Sequence, residues 1–306
     1  MKKVLVTGAT GFIGQCCLPL LLERGFEVHA VTSRDLNEEV SRIHWYRADL
    51  LDSEQTRTVM VKVKPSHLLH LAWYTVPGEF WISTENLRWV KASLDLLQTF
   101  ISHGGHRVVM AGTCAEYDWK WGFCSEETTP LRPSTLYGAS KHALQIISGA
   151  LSVQVGLSSA WGRIFFLYGP HEHSDRLVPS VILSVLKGKP APCSHGNQVR
   201  DFLYVEDVAS AFVTLLESSV QGPVNIGSGH PVSLKEVVNR IGEMVGAPDL
   251  IRIGEKAAPQ GDPSLLTADT RRLREDVKWI ARYGLEAGLD QTIQWWKMHL
   301  GLNAVP

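Results

Sequence analysis

Tyr137 and Lys141 stand four residues apart in Tyr137-Gly138-Ala139-Ser140-Lys141, a spacing that puts both side chains on one face of a helix. A tyrosine with its ordinary pKa of about 10 is a poor proton shuttle at neutral pH. A lysine ammonium nearby, with the positive charge of an oxidised nicotinamide, would stabilise the phenolate and pull that pKa toward neutrality. Thr113, just past the apolar run Arg107–Ala111, offers a hydroxyl to a substrate oxygen that gains or loses charge as hydride moves. Capping of the following turn is the plainer use of the same hydroxyl. The chemistry these three residue types suit is proton transfer coupled to hydride transfer.

Hydride chemistry needs a carrier, and the start of the chain offers a place for one. The apolar run Val4-Leu5-Val6 leads into Gly8-Ala9-Thr10-Gly11-Phe12-Ile13-Gly14 and then into an apolar-periodic helix. In such a turn Gly8 permits the tight bend, Gly11 lets a pyrophosphate approach, and Gly14 lets the helix pack on the sheet. Thr10, Phe12 and Ile13 complete the expected cofactor-binding turn, whose spacing is GxxGxxG rather than GxGxxG. The second strand ends Val31-Thr32-Ser33-Arg34, with no carboxylate before Asp35 to meet a ribose 2′-hydroxyl. Ser33 and Arg34 suit a 2′-phosphate instead, which favours NADP(H) and leaves NAD(H) possible. Stacking of Arg34 on the adenine is the alternative use of that side chain. Asp49 and Leu50 are placed to meet the adenine edge, and Leu71 and Ala72 to line the pyrophosphate and ribose channel.

These groups need a frame, and the first half of the chain supplies alternating signals for one. Strands are expected at Val4–Thr7, Glu27–Thr32, Ile43–Ala48, His67–Leu71, Arg107–Ala111 and Ala160–Phe165, with helical stretches between them. The first helix, Gln15–Arg24, contains Pro19, which should cost a hydrogen bond or a slight bend. Repeated βαβ units imply an α/β fold, a Rossmann-type doubly wound parallel sheet. After Gly169-Pro170 strands shorten, and helices at Val178–Lys187, Val205–Glu217 and Leu234–Val245 alternate with loops. Residues 1–168, with contributions from about 200–228, therefore read as the dinucleotide-binding domain. Residues 169–306 read as mainly a smaller C-terminal α/β lobe for substrate.

Composition narrows the class. The chain has 306 residues, a net charge of −1 and no basic stripe, so nucleic-acid binding has no electrostatic support. No stretch approaches the roughly 20 apolar residues of a membrane span. The N-terminal apolar run stops at Gly8, which suits a strand rather than a signal peptide. The five cysteines are odd in number and lack CxxC spacing. They suggest neither disulfides nor a zinc site, and a reducing, cytoplasmic setting fits them. His171 and His173 could line a cleft, but no acidic partner makes them metal ligands.

Taken together, the motifs resemble the extended short-chain dehydrogenase/reductase family, of the NAD-dependent epimerase/dehydratase type. The resemblance rests on the GATGFIG turn, Asp49-Leu50, His70-Leu71-Ala72, Thr113 with Tyr117, and the YGASK segment. It continues through Tyr168-Gly169-Pro170, Arg200-Asp201-Phe202 and Asn225-Ile226-Gly227, nearly the whole chain. It implies that Tyr137 is the general acid/base, that Lys141 holds the nicotinamide ribose and that Thr113 polarises the reacting C–O group. It implies a nucleotide-diphosphate sugar as substrate, with Thr113, Cys114, Ala115 and Phe166 beside the sugar and Arg200 at the diphosphate. A homodimer through the helices that include the YxxxK segment is a further implication.

Three departures bear on the reaction. The 4,6-dehydratases of the family carry Asp and Glu after the threonine, where this chain has Cys114 and Ala115. Glu116 comes one position later and should point to the other side. Phe166 stands where sugar-handling relatives commonly carry Asn, which suggests a less polar deoxyhexose. A second phosphate-binding arginine near Gly261-Asp262 is replaced by Pro259 and Gln260, so Arg176 or Arg252 would have to compensate. Trp119 and Trp121 are candidates to wall the sugar. The expected activity is NADP(H)-dependent reduction of a nucleotide-activated 4-keto-6-deoxy sugar. An NAD-retaining 4-epimerase is the alternative within the family, and a non-catalytic redox sensor is the alternative outside enzymes.

Overall fold

The computed structural model describes residues 2–35 and 42–302. Among the described residues, seven strands form a wholly parallel central sheet. In chain order they are β1 (Lys3–Thr7), β2 (Glu27–Thr32), β3 (Ile43–Arg47), β4 (His67–His70), β5 (Arg107–Thr113), β6 (Ser158–Ile164) and β7 (Gly222–Ile226). Their spatial order is β7-β6-β5-β4-β1-β2-β3. A parallel sheet is buried on both faces, which is why these strands read as near-continuous apolar runs. The strand order reverses beside β1, and in such sheets ligands bind outside the C-terminal strand ends at that point.

Helices cover both faces. On one side α1 (Gly14–Glu23) packs with the helix Val205–Glu217 over Val4, Val6, Val28 and Ala30. On the other, α2 (Ser53–Val63), α3 (Glu85–Ser102) and α4 (Leu136–Val155) cover Leu5, Leu68, Val108 and Met110. Pro19 does not interrupt α1. The strand β5 runs on to Thr113 rather than stopping at Ala111, and β6 starts at Ser158 rather than Ala160, because each pairs residue for residue with the other.

The second half of the chain builds a smaller sheet from short strands. Val199–Tyr204 pairs in parallel with Phe166–Tyr168 and Leu265–Ala268, and antiparallel with Pro231–Ser233. Its anchor is Asp201, buried, whose carboxylate accepts from the Ser228, Gly229 and Ala268 N–H groups. A further core, with Tyr168, Val181, Ile182, Val237, Ile241 and Trp296, lies beneath these strands. A small cluster of Cys114, Tyr117, Cys124, Phe165, Leu266 and Ala268 fills the space between this sheet and the end of β5. Among the described residues, no helix is long and apolar enough to cross a membrane.

Candidate active site

At its end β5 turns at once into a short 3-10 turn, Cys114–Glu116, held by reciprocal capping. The Thr113 hydroxyl oxygen accepts from the Ala115 N–H at 3.2 Å, and a Glu116 carboxylate oxygen accepts from the Thr113 N–H at 2.8 Å. The same Glu116 oxygen accepts from the Trp161 indole N–H at 2.8 Å, and the other takes Arg163 Nε–H at 2.7 Å. Glu116 and Arg163 are both 0% exposed. Arg163 also donates to the Tyr117 hydroxyl, which donates to Asn225. The Asn225 amide in turn donates to the carbonyls of Cys124 and Asp269. Glu116 does point away from the cleft, as its position in the turn suggested. Its role in fixing Thr113 was nonetheless missed, although Thr-x-x-Glu is a recognised capping signature.

Tyr137 reaches Thr113 because α4 lies hard against this turn. A Cβ at Gly138 would come within 2.2 Å of the Ala115 carbonyl oxygen, so only glycine permits the approach. The Tyr137 phenol is thereby brought close enough to the Thr113 side chain for that hydroxyl to lower the phenol's pKa. Phe80 and Trp81 stand edge-on to the Tyr137 ring at 4.9 and 5.7 Å, and Trp119 meets Trp81 at 6.0 Å. The Trp81 carbonyl accepts from the Tyr137 N–H. Trp81 and Phe80 belong to a loop that carried no motif in the sequence.

Lys141 follows on the same face of α4 and is 3% exposed. Its Nζ donates to the Ala111 carbonyl at 2.8 Å and lies 3.7 Å from the Trp73 ring centroid. Burial brings the lysine pKa down to about 7, against the pull of the Glu116 charge. Burial also pushes the Tyr137 phenol above the ordinary tyrosine value, with the Thr113 hydroxyl working the other way. This differs from the expected descent of the phenol toward neutrality. Burial disfavours the charged phenolate and dominates in the protein itself, whereas the expected descent also counts the charge of an oxidised nicotinamide.

The glycine turn forms a cradle beside this set. Gly8 has φ +68°, and a Cβ there would meet the Ala72 nitrogen at 2.8 Å, so Leu71 and Ala72 lie directly against the turn. A Cβ at Gly14 would fall 2.1 Å from the Gly8 carbonyl oxygen. Gly14 thus packs against the turn itself, rather than chiefly on the sheet as the sequence reading had it. The Gly11 N–H closes the turn onto the Gly8 carbonyl, whereas the Phe12 and Ile13 N–H groups find no acceptor among the described residues. A glycine-walled concavity with free donors at the start of a helix fits a dinucleotide pyrophosphate. Behind it, Thr7 bonds His70 Nδ1 at 2.7 Å, and His70 Nε2 bonds Ser93 at 2.8 Å. Burial, and then the Lys141 charge, holds the His70 pKa at about 3, so the imidazole is neutral.

The remaining expected residues divide between the cleft and the interior. Ser33 and Arg34 are exposed at the end of β2, and the Thr10 and Thr32 hydroxyls meet at 3.3 Å. Asp35 pairs with Arg47. Asp49 is exposed, with its side chain accepting from the Leu51 N–H, while Leu50 is half-buried against the α2–α3 core. Arg176 lies over the Phe80 ring at 5.2 Å, close enough for its charge to bear on Tyr137. Arg200 is 2% exposed, donates to Asp262 at 2.6 Å and lies over the Phe166 ring at 5.3 Å. Cys114 and Ala115 are buried, so their side chains close the floor of the turn rather than line open cleft. Trp119 is half-buried, Trp121 is exposed, and Arg252 lies away from this group in the strand Ile251–Ile253. His171 packs on Trp295, and among the described residues no group of three metal-type ligands occurs.

Comparison with known proteins agrees with this geometry. Residues 4–227 match the family model described as the NAD dependent epimerase/dehydratase family. The chain is 26% identical to the dTDP-4-dehydro-6-deoxy-D-allose reductase of Streptomyces sp, over 97% of each chain. The solved structure of MoeE5 in complex with UDP-glucose and NAD is 31% identical, with a TM-score of 0.84 covering 97% of this chain and 99% of that one. The UDP-glucose 4-epimerase of Thermus thermophilus, in complex with NAD, is 26% identical, with a TM-score of 0.83 over 99% and 100% of the two chains.

A buried ion pair that loses one partner leaves the other charge uncompensated, which costs about 3–5 kcal/mol. Glu116→Gln is therefore expected to destabilise the protein by that amount in denaturant unfolding, and adding Arg163→Met should recover part of it. A loss below about 1 kcal/mol, typical of a surface pair, would contradict the reading.

Proposed function

The chain belongs to the NAD dependent epimerase/dehydratase family, and within it we propose an NADP(H)-dependent reductase of the C4 ketone of a nucleotide-activated 4-keto-6-deoxy sugar. It is an enzyme of the extended short-chain dehydrogenase/reductase type. The observation that carries the narrower reading is the convergence of Thr113, Tyr137 and Lys141 at the end of β5, where the adjacent carboxylate, Glu116, is fully buried and already bonded to Thr113 N–H, Trp161 and Arg163. Cys114 and Ala115 offer no acid, and Glu116 is turned inward and engaged by Arg163. Elimination of water needs such an acid, whereas reduction does not.

When bound, the nicotinamide supplies the hydride. Tyr137, kept protonated by burial, donates its phenolic proton to the alkoxide oxygen formed at C4. Thr113 steadies that oxygen by hydrogen bonding. Lys141 holds the nicotinamide ribose and offsets the charge left on Tyr137. Phe80, Trp81 and Trp119 give the pocket an apolar wall that suits a deoxy sugar, and Arg176 and Arg200 are the cations for the diphosphate.

MoeE5 and the Thermus thermophilus enzyme carry NAD, which supports a nicotinamide dinucleotide in the glycine cradle. Preference for the phosphorylated form rests on exposed Ser33 and Arg34 and on Asp35 being turned to Arg47. The NAD in those neighbours also favours a second reading, a 4-epimerase that uses the same residues and keeps its cofactor. We further place a homodimer interface on α3 and α4, where Leu87, Ile146, Ile147 and Val153 expose apolar surface, Val153 by 86%. We also read the five cysteines, odd in number and without CxxC spacing, as thiols of a reducing, cytoplasmic setting.

Three outcomes test these assignments. Oxidation of NADPH is expected with one of a panel of dTDP-, GDP-, CDP- and UDP-linked 4-keto-6-deoxyhexoses, and Tyr137→Phe should lower that turnover about 10²–10⁴-fold with cofactor binding intact. No oxidation, with NAD released on denaturation, would instead point to the epimerase and overturn the NADP(H) preference. Arg34→Ala should weaken NADPH binding about tenfold in calorimetric titration and leave NADH unchanged, the worth of one charge-assisted hydrogen bond. Light scattering should give a dimer that Val153→Glu dissociates, and a wild-type monomer would remove the interface.

A further inference from the structure

Lys141 has a neighbour that no motif announced. Trp73 follows Ala72 at the mouth of the glycine cradle, and the Lys141 ammonium lies 3.7 Å from its ring centroid, well inside the range of a cation–π contact. The indole cannot turn away freely. Its N–H donates to Asn86 Oδ1 at 2.9 Å, and Asn86 is 0% exposed, its amide donating to the carbonyls of Phe80 and Ser83. A chain of fixed contacts therefore runs from α3 through Asn86 and Trp73 to the ammonium, which the Ala111 carbonyl holds from the other side.

Burial of an ammonium works against its charge, and little else near Lys141 counters that penalty. Glu116, from the 3-10 turn, is the carboxylate that favours the protonated lysine. His70, from β4, is neutral, and Tyr137 shares the helix in its uncharged form. β6 contributes the Trp161 ring at 6.0 Å, and α3 contributes Ser93 through its bond to His70, neither of which titrates. The indole face of Trp73, 3.7 Å away, is thus a source of negative potential in direct contact with the ammonium, beside the Ala111 carbonyl at 2.8 Å.

We propose that Trp73 is a positioning residue for Lys141, its indole face keeping the ammonium protonated and held at the Ala111 carbonyl. The catalytic importance of this rests on the reading of Lys141 given above, but the physical claim does not. The ring favours the charged form, so where the replacement side chain keeps the ammonium buried, loss of the indole face lowers the lysine's titration midpoint further below the ordinary lysine value, in the direction in which burial already moves it.

The test is the ¹³Cε chemical shift of Lys141 followed against pH by NMR in the wild type, Trp73→Leu and Trp73→Phe, without cofactor. The midpoint is expected to fall by about one pH unit in Trp73→Leu and by about half as much in Trp73→Phe, whose face is weaker. An unchanged midpoint in folded variants would overturn the proposal, since a purely structural tryptophan would alter stability and not this titration. Should Trp73→Leu fail to fold, Trp73→Phe decides in the same way. Turnover against pH is then measured on the same proteins. A midpoint that falls while the pH profile stays fixed upholds the Trp73 contact and removes Lys141 from the reaction.

Discussion

The Glu116–Arg163 pair sits with no solvent around it, between the end of β5 and the neighbouring strand β6. Each member is also a hydrogen-bonding centre. Glu116 fixes the Thr113 backbone and the Trp161 indole, and Arg163 fixes Tyr117 and through it Asn225 on β7. Asn225 extends the network to the carbonyls of Cys124 and Asp269, which border the smaller sheet. One buried charge pair thus ties three strands of the central sheet to one another and, through Cys124 and Asp269, to the border of the smaller sheet. A pair in low dielectric gives modest net stability, but it penalises every arrangement in which a member loses its partner. That penalty holds the 3-10 turn in a single geometry, and Thr113 stands at its head.

The site depends next on backbone approach. Gly138 brings α4 onto the Ala115 carbonyl, and Gly8 and Gly14 fold the first turn onto itself and onto Ala72. With β1, β4 and β5 adjacent in the middle of the sheet, the phosphate cradle, the Ala72–Trp73 segment and the Thr113–Tyr137 pair come together at the C-terminal ends of these strands. Burial then sets the proton chemistry: it keeps the phenol protonated and weakens the hold of Lys141 on its own proton.

Much of this frame was legible in the chain. The strands Glu27–Thr32, and the helices Val205–Glu217 and Leu234–Val245, occur with the boundaries that periodicity and turn residues suggested. The glycine turn and the YGASK helix could be read because their function is local in sequence. Contacts between distant residues could not be read in this way. Glu116 and Arg163 are 47 positions apart, and only the pairing of β5 with β6 makes them neighbours. Trp73 and Trp81 lay in a loop without periodicity. The direction of the Tyr137 shift depends on desolvation, which spacing along a helix does not reveal. Asp262 is a similar case: its position suggested a phosphate site lacking one arginine, and it instead engages the arginine that remains.

The destination of the hydride separates a reductase from an epimerase. The most direct measurement is incubation with NADPH carrying deuterium at the transferred position of the nicotinamide, followed by NMR of the sugar product. A reductase places one deuterium at C4 of the sugar for each cofactor oxidised. A 4-keto sugar left unreduced, with the corresponding 4-hydroxy sugar nucleotide instead inverted at C4, carrying protium there and consuming none of the labelled cofactor, would contradict the reductase. It would show hydride returning from a nicotinamide that never leaves the protein.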